Sequence, residues 1–331
     1  MVVFGRRRVV RATTVVVTAV VLSACGASPS RPAATSAPPN ASGPDGSLAG
    51  ADAPSTSSVA GGGGIGLDLE RTAVLDGLGI ADLSRATVGR TFTTSFEDPA
   101  DLAGFYTTPQ TALTHHEVTT ALAHTGTHAE KAWVTGPGAP GVEPDGPNHR
   151  GYPTVQLRKL DAGRGGFRSP TIAQFWVWLD VTLQPGQWFS FATFTFDASR
   201  RWDRVVTVNL DPDGYVNIFH VPLHNQKDVA LQRTDVPFPM KAWVRITAYV
   251  DFTLAHGALA VWQGTTLVAA ARIDPQVDPT VRGVRDALGL PADELTDRLE
   301  QAHFGLYTPP DVRAATVYND DITIAELNAP G

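Results

Sequence analysis

Cysteine is almost missing from this chain: Cys25 is the only one among 331 residues, so no internal disulfide is available and packing alone must hold the fold together. Long apolar runs are missing as well. Beyond the first two dozen residues no stretch reaches the ~18 consecutive apolar side chains that a spanning helix needs. Positive charge is not in excess: the formal net charge is -7, which argues against a nucleic-acid partner, since that would require a clustered basic face. No convincing Ser-His-Asp arrangement, phosphate-binding glycine loop or dinucleotide fingerprint occurs. The glycines from Gly61 to Gly66 lie in a low-complexity stretch rather than between a strand and a helix.

What is present begins with an address. Arg6, Arg7, Arg8 and Arg11 precede an apolar stretch from Thr13 to Leu22, and Leu22-Ser23-Ala24-Cys25 follows, with small residues where a peptidase must approach. This order resembles the bacterial lipobox, whose cysteine is lipidated and becomes the mature N-terminus. Residues 1–24 are therefore expected to be a lipoprotein signal peptide, with Cys25 carrying the lipid (palmitate among its acyl chains) that anchors the protein to the cell membrane from outside the cytoplasm. A buried core thiol, the usual fate of a lone cysteine, fits these flanks less well. Residues 25–64 are mainly Ala, Ser, Pro, Gly and Thr, too poor in large apolar side chains to offset their ordering entropy, and are expected to form a disordered tether.

From residue 65 to 331 the pattern is that of strands. Val155 and Leu157 alternate with Thr154, Gln156 and Arg158; Phe175, Val177, Leu179 and Val181 alternate with Trp176, Trp178 and Asp180. Val206, Val208 and Leu210 oppose Thr207 and Asn209, and the turn Asp211-Pro212-Asp213-Gly214 leads into Tyr215 to Val221, which predicts a hairpin. Val244, Ile246, Ala248, Val250 and Phe252 form another core row, followed by Leu259 to Trp262, a Gln263-Gly264 turn, and Leu267 to Ile273. Strands at such short intervals predict a mainly β sandwich or jelly roll. A hydrophobic content of 43% with 7 Trp and 14 Phe is ample for its core. The exception is Thr280 to Gln301, where Val281, Val284, Leu288, Leu295 and Leu299 recur at helical spacing and predict a helical insertion at about 280–301.

Phe96-Glu97-Asp98, Thr125-Gly126-Thr127-His128-Ala129, the strand from Trp243 to Phe252, Gly257 to Gly264, His303-Phe304-Gly305-Leu306-Tyr307 and Tyr318 to Ile324 follow one another in an order that resembles the concanavalin A-like jelly roll. Within that superfamily the order is most similar to polysaccharide lyases of the heparin lyase I and alginate lyase type. The resemblance runs from about Thr91 to Leu327. It implies a concave sheet on which a cationic or polar side chain neutralises a uronate carboxylate, a His or Tyr removes the C5 proton and a Tyr protonates the leaving oxygen. Arg150, Gln156 and Arg158 then stand where such lyases carry an acidic strand motif. Val206 to Leu210, which contains Asn209 and no histidine, stands where they carry a histidine; His220 one strand later is the substitute, and Tyr307 matches the late tyrosine. Tyr307, His220 and Asn209 are thus the catalytic candidates.

Ligand-binding candidates are Arg150, Gln156, Arg158, His303 and, in a basic connection after a strand, Trp202 and Arg204. Trp176 and Trp178 form a row that either stacks on sugar or lies beneath a third layer, the second being the stronger expectation. Glu97, Asp98, Asp320 and Asp321 are candidate ligands for a structural calcium where the first and last strands meet. His115 and His116 are adjacent on a strand and point to opposite faces, a poor pair for a transition metal. No cofactor is required by either reading. The expected function is polysaccharide recognition without catalysis; the alternatives are a divergent lyase acting by β-elimination and a non-enzymatic envelope interaction protein.

Overall fold

In the computed structural model the described residues are 67–98, 101, 106–107, 113–138, 148–157, 166–195, 205–220, 229–253, 257–273 and 298–328. Cys25, the tether, Arg158, Trp202, Arg204 and the expected helix up to residue 297 lie outside them.

A short helix, α1 (Ala73–Gly77), and a single 3-10 turn at Leu83–Arg85 precede the strands. The strands are β1 (Thr87–Thr94), β2 (Tyr106–Thr107), β3 (Thr114–Thr119), β4 (Ala129–Val134), β5 (His149–Gly151), β6 (Pro153–Gln156), β7 (Phe167–Arg168), β8 (Thr171–Val181) and β9 (Phe189–Thr195). They continue with β10 (Val205–Leu210), β11 (Val216–His220), β12 (Val229–Gln232), β13 (Val244–Asp251), β14 (Ala258–Gln263), β15 (Thr266–Arg272), β16 (Arg298–Leu299), β17 (Gln301–Thr308) and β18 (Ala315–Asn328).

These strands build two large antiparallel sheets. The larger runs β12-β15-β14-β13-β8-β18-β4-β3, with β1 also on β18; the smaller runs β11-β10-β9-β17-β6-β2, with β5 also on β17. Their inner faces meet in one apolar core, to which Phe175, Val177 and Leu179 come from β8, Val206, Val208 and Leu210 from β10, Ile246, Ala248 and Val250 from β13, and Phe304 from β17. The jelly-roll β-sandwich expected from the strand pattern is therefore the fold, and the alternating residues named for these strands face the core as expected. The hairpin is there too. Asp211 Oδ1 accepts from the N–H of Asp213 and Tyr215, and Gly214 turns the chain with φ 85°, a value that L side chains rarely adopt.

Two features add to the sequence reading: the third layer, expected above Trp176 and Trp178, is described over β13 to β15, and one end of the expected helix is strand. Leu67, Leu75, Leu78, Ile80, Leu83 and Ala86 lie against the outer face of the larger sheet, on Tyr249, Ala258, Ala260, Trp262, Leu267 and Ala270. This segment is a third layer, and the indole N–H of Trp262 donates to Glu70 O at 2.9 Å across it. The second feature is a correction: at the end of the expected helix, Arg298, Leu299 and Gln301 are in strands. Leu299 pairs with Phe167, Gln301 pairs with both Gln156 and Thr195, and Leu299 joins the main core. Sheet pairing and burial outweigh the local helical spacing there.

Candidate functional site

The side chains of the smaller sheet that point away from the core form three transverse rows, each fixed by strand register. One row is Gln156–Gln301–Thr195–Val205. The next is Thr154–His303–Thr193–Thr207–Phe219. The third is Arg150–Tyr307–Ser190–Asn209–Asn217. With strands about 4.8 Å apart, a five-strand row extends across ~19 Å. The third row stays aligned through bulges: Val208 pairs with Ala192 but Asn209 with Ser190, and Phe304 pairs with Ala192 but Tyr307 with Ser190. Gly305, at φ 140° with the Gly151 carbonyl 2.5 Å from where a Cβ would sit, permits the second of these shifts.

The face is polar yet shielded. Gln156 is 6% exposed, Asn209 5% and His303 5%, while Tyr307 is half-buried and Arg150 exposed. Several groups have their geometry fixed by neighbours. The Tyr307 ring lies under the Arg150 guanidinium at 5.3 Å and edge-on to Trp188 at 4.9 Å, and its hydroxyl accepts from Asn148 Nδ2 at 3.0 Å. His303 stacks on Tyr152 with centroids 4.6 Å apart. Burial first, then the Arg150 charge, push its imidazole down to about 3, so it is neutral at physiological pH. Other groups are unmet. Gln156 Oε1, Asn209 Oδ1 and Asn217 Oδ1 are buried without a hydrogen-bond partner, the last two directly across from one another. A buried acceptor left unpaired costs ~1–3 kcal/mol, so these atoms favour a ligand or water that donates to them. On these rows no described side chain is acidic.

Of the residues singled out from sequence, the register thus brings Arg150, Gln156, Asn209, His303 and Tyr307 onto one face. By backbone register His220 pairs with Val206 and belongs to none of the three rows. Sequence reasoning missed Ser190, Thr193, Gln301 and Asn217. Thr193 and Thr195 flanking Phe194, and Gln301 and His303 flanking Ala302, carried the alternation that marks them; Ser190 was hidden by the bulge.

Three of the four acids proposed for calcium, Glu97, Asp320 and Asp321, are held in two separate clasps on the segment 124–128. Glu97 accepts from the N–H of Thr127 and His128 and from the Thr127 hydroxyl, and these bonds, the His128 amide foremost, hold its carboxyl down at about 2. Asp320 Oδ2 accepts from the N–H of His124 and Thr125, while Asp321 meets His124 Nδ1 at 2.7 Å and the Thr125 hydroxyl at 2.7 Å. Asp98 is exposed beside them. Among the described residues no group of three His, Cys, Asp or Glu side chains is placed to hold a metal ion. The two indoles of β8 also part company: His124 stacks on Trp176 at 3.7 Å, whereas Trp178 meets Tyr318 edge-on at 5.3 Å.

No protein-family model and no curated protein sequence matches the chain. Among solved structures it is similar to a cellulose-induced protein, Cip1, at 15% identity and TM-score 0.44, over 72% of this chain and 97% of the other. It is also similar to an endo-β-1,4-glucuronan lyase from the fungus Trichoderma reesei, at 13% identity and TM-score 0.43, over 72% and 96%. A third likeness is to a xylan-binding domain from Paenibacillus barcinonensis, at 11% identity and TM-score 0.31, over 73% and 97%. At this distance the likenesses assign no role to any residue of the site.

Proposed function

We propose that the outer face of the smaller sheet is a binding groove for an acidic polysaccharide, on an exported protein tethered to the membrane through a lipidated Cys25. The observation that carries this reading is the set of three registered rows, which present hydroxyl, amide, imidazole and phenol groups across five strands and leave three buried amide oxygens unmet. A sugar chain offers hydroxyl donors at repeated intervals, which suits those acceptors. Arg150 supplies a guanidinium for a carboxylate, and the described rows contain no carboxylate to repel one. Their lack of an acidic pair also sets the groove apart from glycoside hydrolysis as carried out by paired Asp or Glu residues.

β-Elimination on a uronate polymer is a second reading, favoured by one arrangement: Tyr307 lies directly across from Arg150, with neutral His303 on the neighbouring row. Arg150 would hold the uronate carboxylate and His303 or Tyr307 would take the C5 proton. The electron pair then forms the C4–C5 double bond as the C4–O bond breaks, and Tyr307 protonates the departing oxygen. His220 has no part in this arrangement.

The test mixes the full chain with alginate, glucuronan, heparin and pectin and follows both retention on the immobilised polymer and ultraviolet absorbance. Retention that Arg150→Ala weakens at least tenfold, with a flat absorbance trace, is the expected result. Rising absorbance, abolished by Tyr307→Phe, would establish the lyase. Neither retention nor absorbance on any of the four would overturn both readings.

A further inference from the structure

The outer face of the larger sheet is not uniform. Where β13, β14 and β15 lie beneath the segment 67–86 it is dry, but along β8 the outward row runs on past Ile172 and Gln174 to Trp176, Trp178 and Asp180. Beyond the layer, Trp178 and Tyr318 are cross-strand partners, Tyr318 is the partner of Lys131, and Trp133 is the partner of Thr316. The Lys131 ammonium sits 4.4 Å from the Trp133 ring centre and 5.8 Å from that of Tyr318, joining the rings into one patch. Trp176 is withdrawn from it by the stacked His124. A cavity of about 340 Å³ adjoins the patch, and its lining includes Thr316, Asp180, Gln184, Gln187, Asp311 and Arg313. Thr316 is the register partner of both Trp133 and Asp180, so the cavity meets the aromatic row without a break.

We infer that this patch and cavity form a second carbohydrate site, on the opposite side of the sandwich from the groove, and that it takes an uncharged glycan. The half-buried indoles Trp133 and Trp178 beside carboxylate and amide groups match a pyranose, whose C–H faces are apolar and whose rim carries hydroxyls. The volume lies at the small end of the range for ligand cavities, which suits one or two sugar rings of a longer chain. Charge decides the class. In and beside the cavity Asp180 and Asp311 are set against Arg313 and against Lys241, whose ammonium is 3.1 Å from Asp180, and on the patch Lys131 is set against its cross-strand partner Glu117, so the local charge is balanced and a polyanion gains nothing by entering. The groove, with Arg150 and no described acid on its rows, has the opposite preference. The two sites would let one chain hold an acidic and a neutral polymer at once.

The test is retention of the full chain on insoluble cellulose, xylan, mannan and β-1,3-glucan. Retention on at least one is expected. It should survive high salt, because no net charge is involved. Trp133→Ala should weaken it about tenfold, equivalent to ~1.4 kcal/mol, and Arg150→Ala should leave it unchanged. Gln184→Ala, on the cavity rim away from the sheet interior, should weaken it too and guards against a fold defect in the tryptophan variant. Loss of neutral-polymer retention in Arg150→Ala, or indifference to both Trp133→Ala and Gln184→Ala, would overturn the inference while leaving the groove reading intact. So would absence of retention on all four polymers. A concentration-dependent dimer that Trp133→Ala returns to monomer would assign the rings to a second copy of the chain and likewise overturn it.

Discussion

On the outer face of the larger sheet, Ala258, Ala260, Ala270 and Ala325 sit under Leu75, Leu78 and Ile80, and small side chains let the segment 67–86 approach closely. On the outer face of the smaller sheet the corresponding positions are Thr193, Thr207, Ser190, Asn209 and Gln301, and three amide oxygens there lack partners. Both faces are shielded from solvent, yet by opposite chemistry. The first is covered by the chain itself, with the Trp262 indole N–H donating to Glu70 O. The second is left chemically incomplete. Unmet buried atoms occur elsewhere too, at Thr72 Oγ1, Glu130 Oε2, Gln263 Oε1 and Asn319, but Asn209 and Asn217 lie directly across from one another on an outward row of the smaller sheet, and that face is the one to search for a ligand.

The largest expected effect falls on the completed face. Trp262→Ala removes a fully buried indole from beneath the segment 67–86 and should lower unfolding free energy by about 3–5 kcal/mol. Chemical denaturation would measure the loss. If the change costs less than Tyr307→Phe on the groove, the segment is not a stabilising layer, and the contrast between the faces fails.

The next effect separates the faces by pH. His303 is held neutral, at about 3 in the folded state against 6.5 for the free group, so the unfolded chain binds its proton first as pH falls. Its contribution is therefore fully present above pH 6.5 and is lost as pH drops from 6.5 towards 3, at a slope of up to ~1.4 kcal/mol per unit. Melting His303→Gln beside the parent chain between pH 7 and 4 should show a flatter decline in the variant. Equal slopes would mean that the groove histidine is not desolvated. Glu97 acts in a lower window: its depressed carboxyl favours the fold above about pH 4.5 and less so towards pH 2. Glu97→Gln should therefore alter the decline only below pH 4.5, a difference that the same melts would reveal.

Much of this contrast was legible in the residues and part of it was not. Strict alternation exposed the core rows of β8, β10 and β13, and it placed Gln156, Asn209, His303 and Tyr307 away from the core. It failed where the period of two breaks: the shift that pairs Asn209 with Ser190 lies in a bulge, which leaves no mark in composition. His220 illustrates a different limit. Its parity with Val216 and Ile218 was readable, but only the register opposite Val206 shows that it stands outside the row of Asn209 and Asn217. What forms the third layer was hidden because Ala258 to Trp262 is apolar on both rows, which states that both faces are covered without naming the cover. The helical spacing before Leu299 was real as a pattern, but at Leu299 and Gln301 it lost to pairing with Phe167, Gln156 and Thr195.

The smallest effect on stability tests the central claim about the groove. Asn209 is 5% exposed and its Oδ1 has no partner, so the folded state already bears the desolvation of that atom. Asn209→Leu replaces the amide by an apolar group of similar volume, removes the unmet acceptor and should leave stability within about 1 kcal/mol of the parent or raise it. Gln156→Leu should behave alike, whereas polymer retention should fall in both variants. That combination, a chain at least as stable and less able to bind, is what a face kept polar for a ligand predicts. If either variant instead loses several kcal/mol, its amide is a structural group whose partners lie within the fold, and the incomplete face is complete after all.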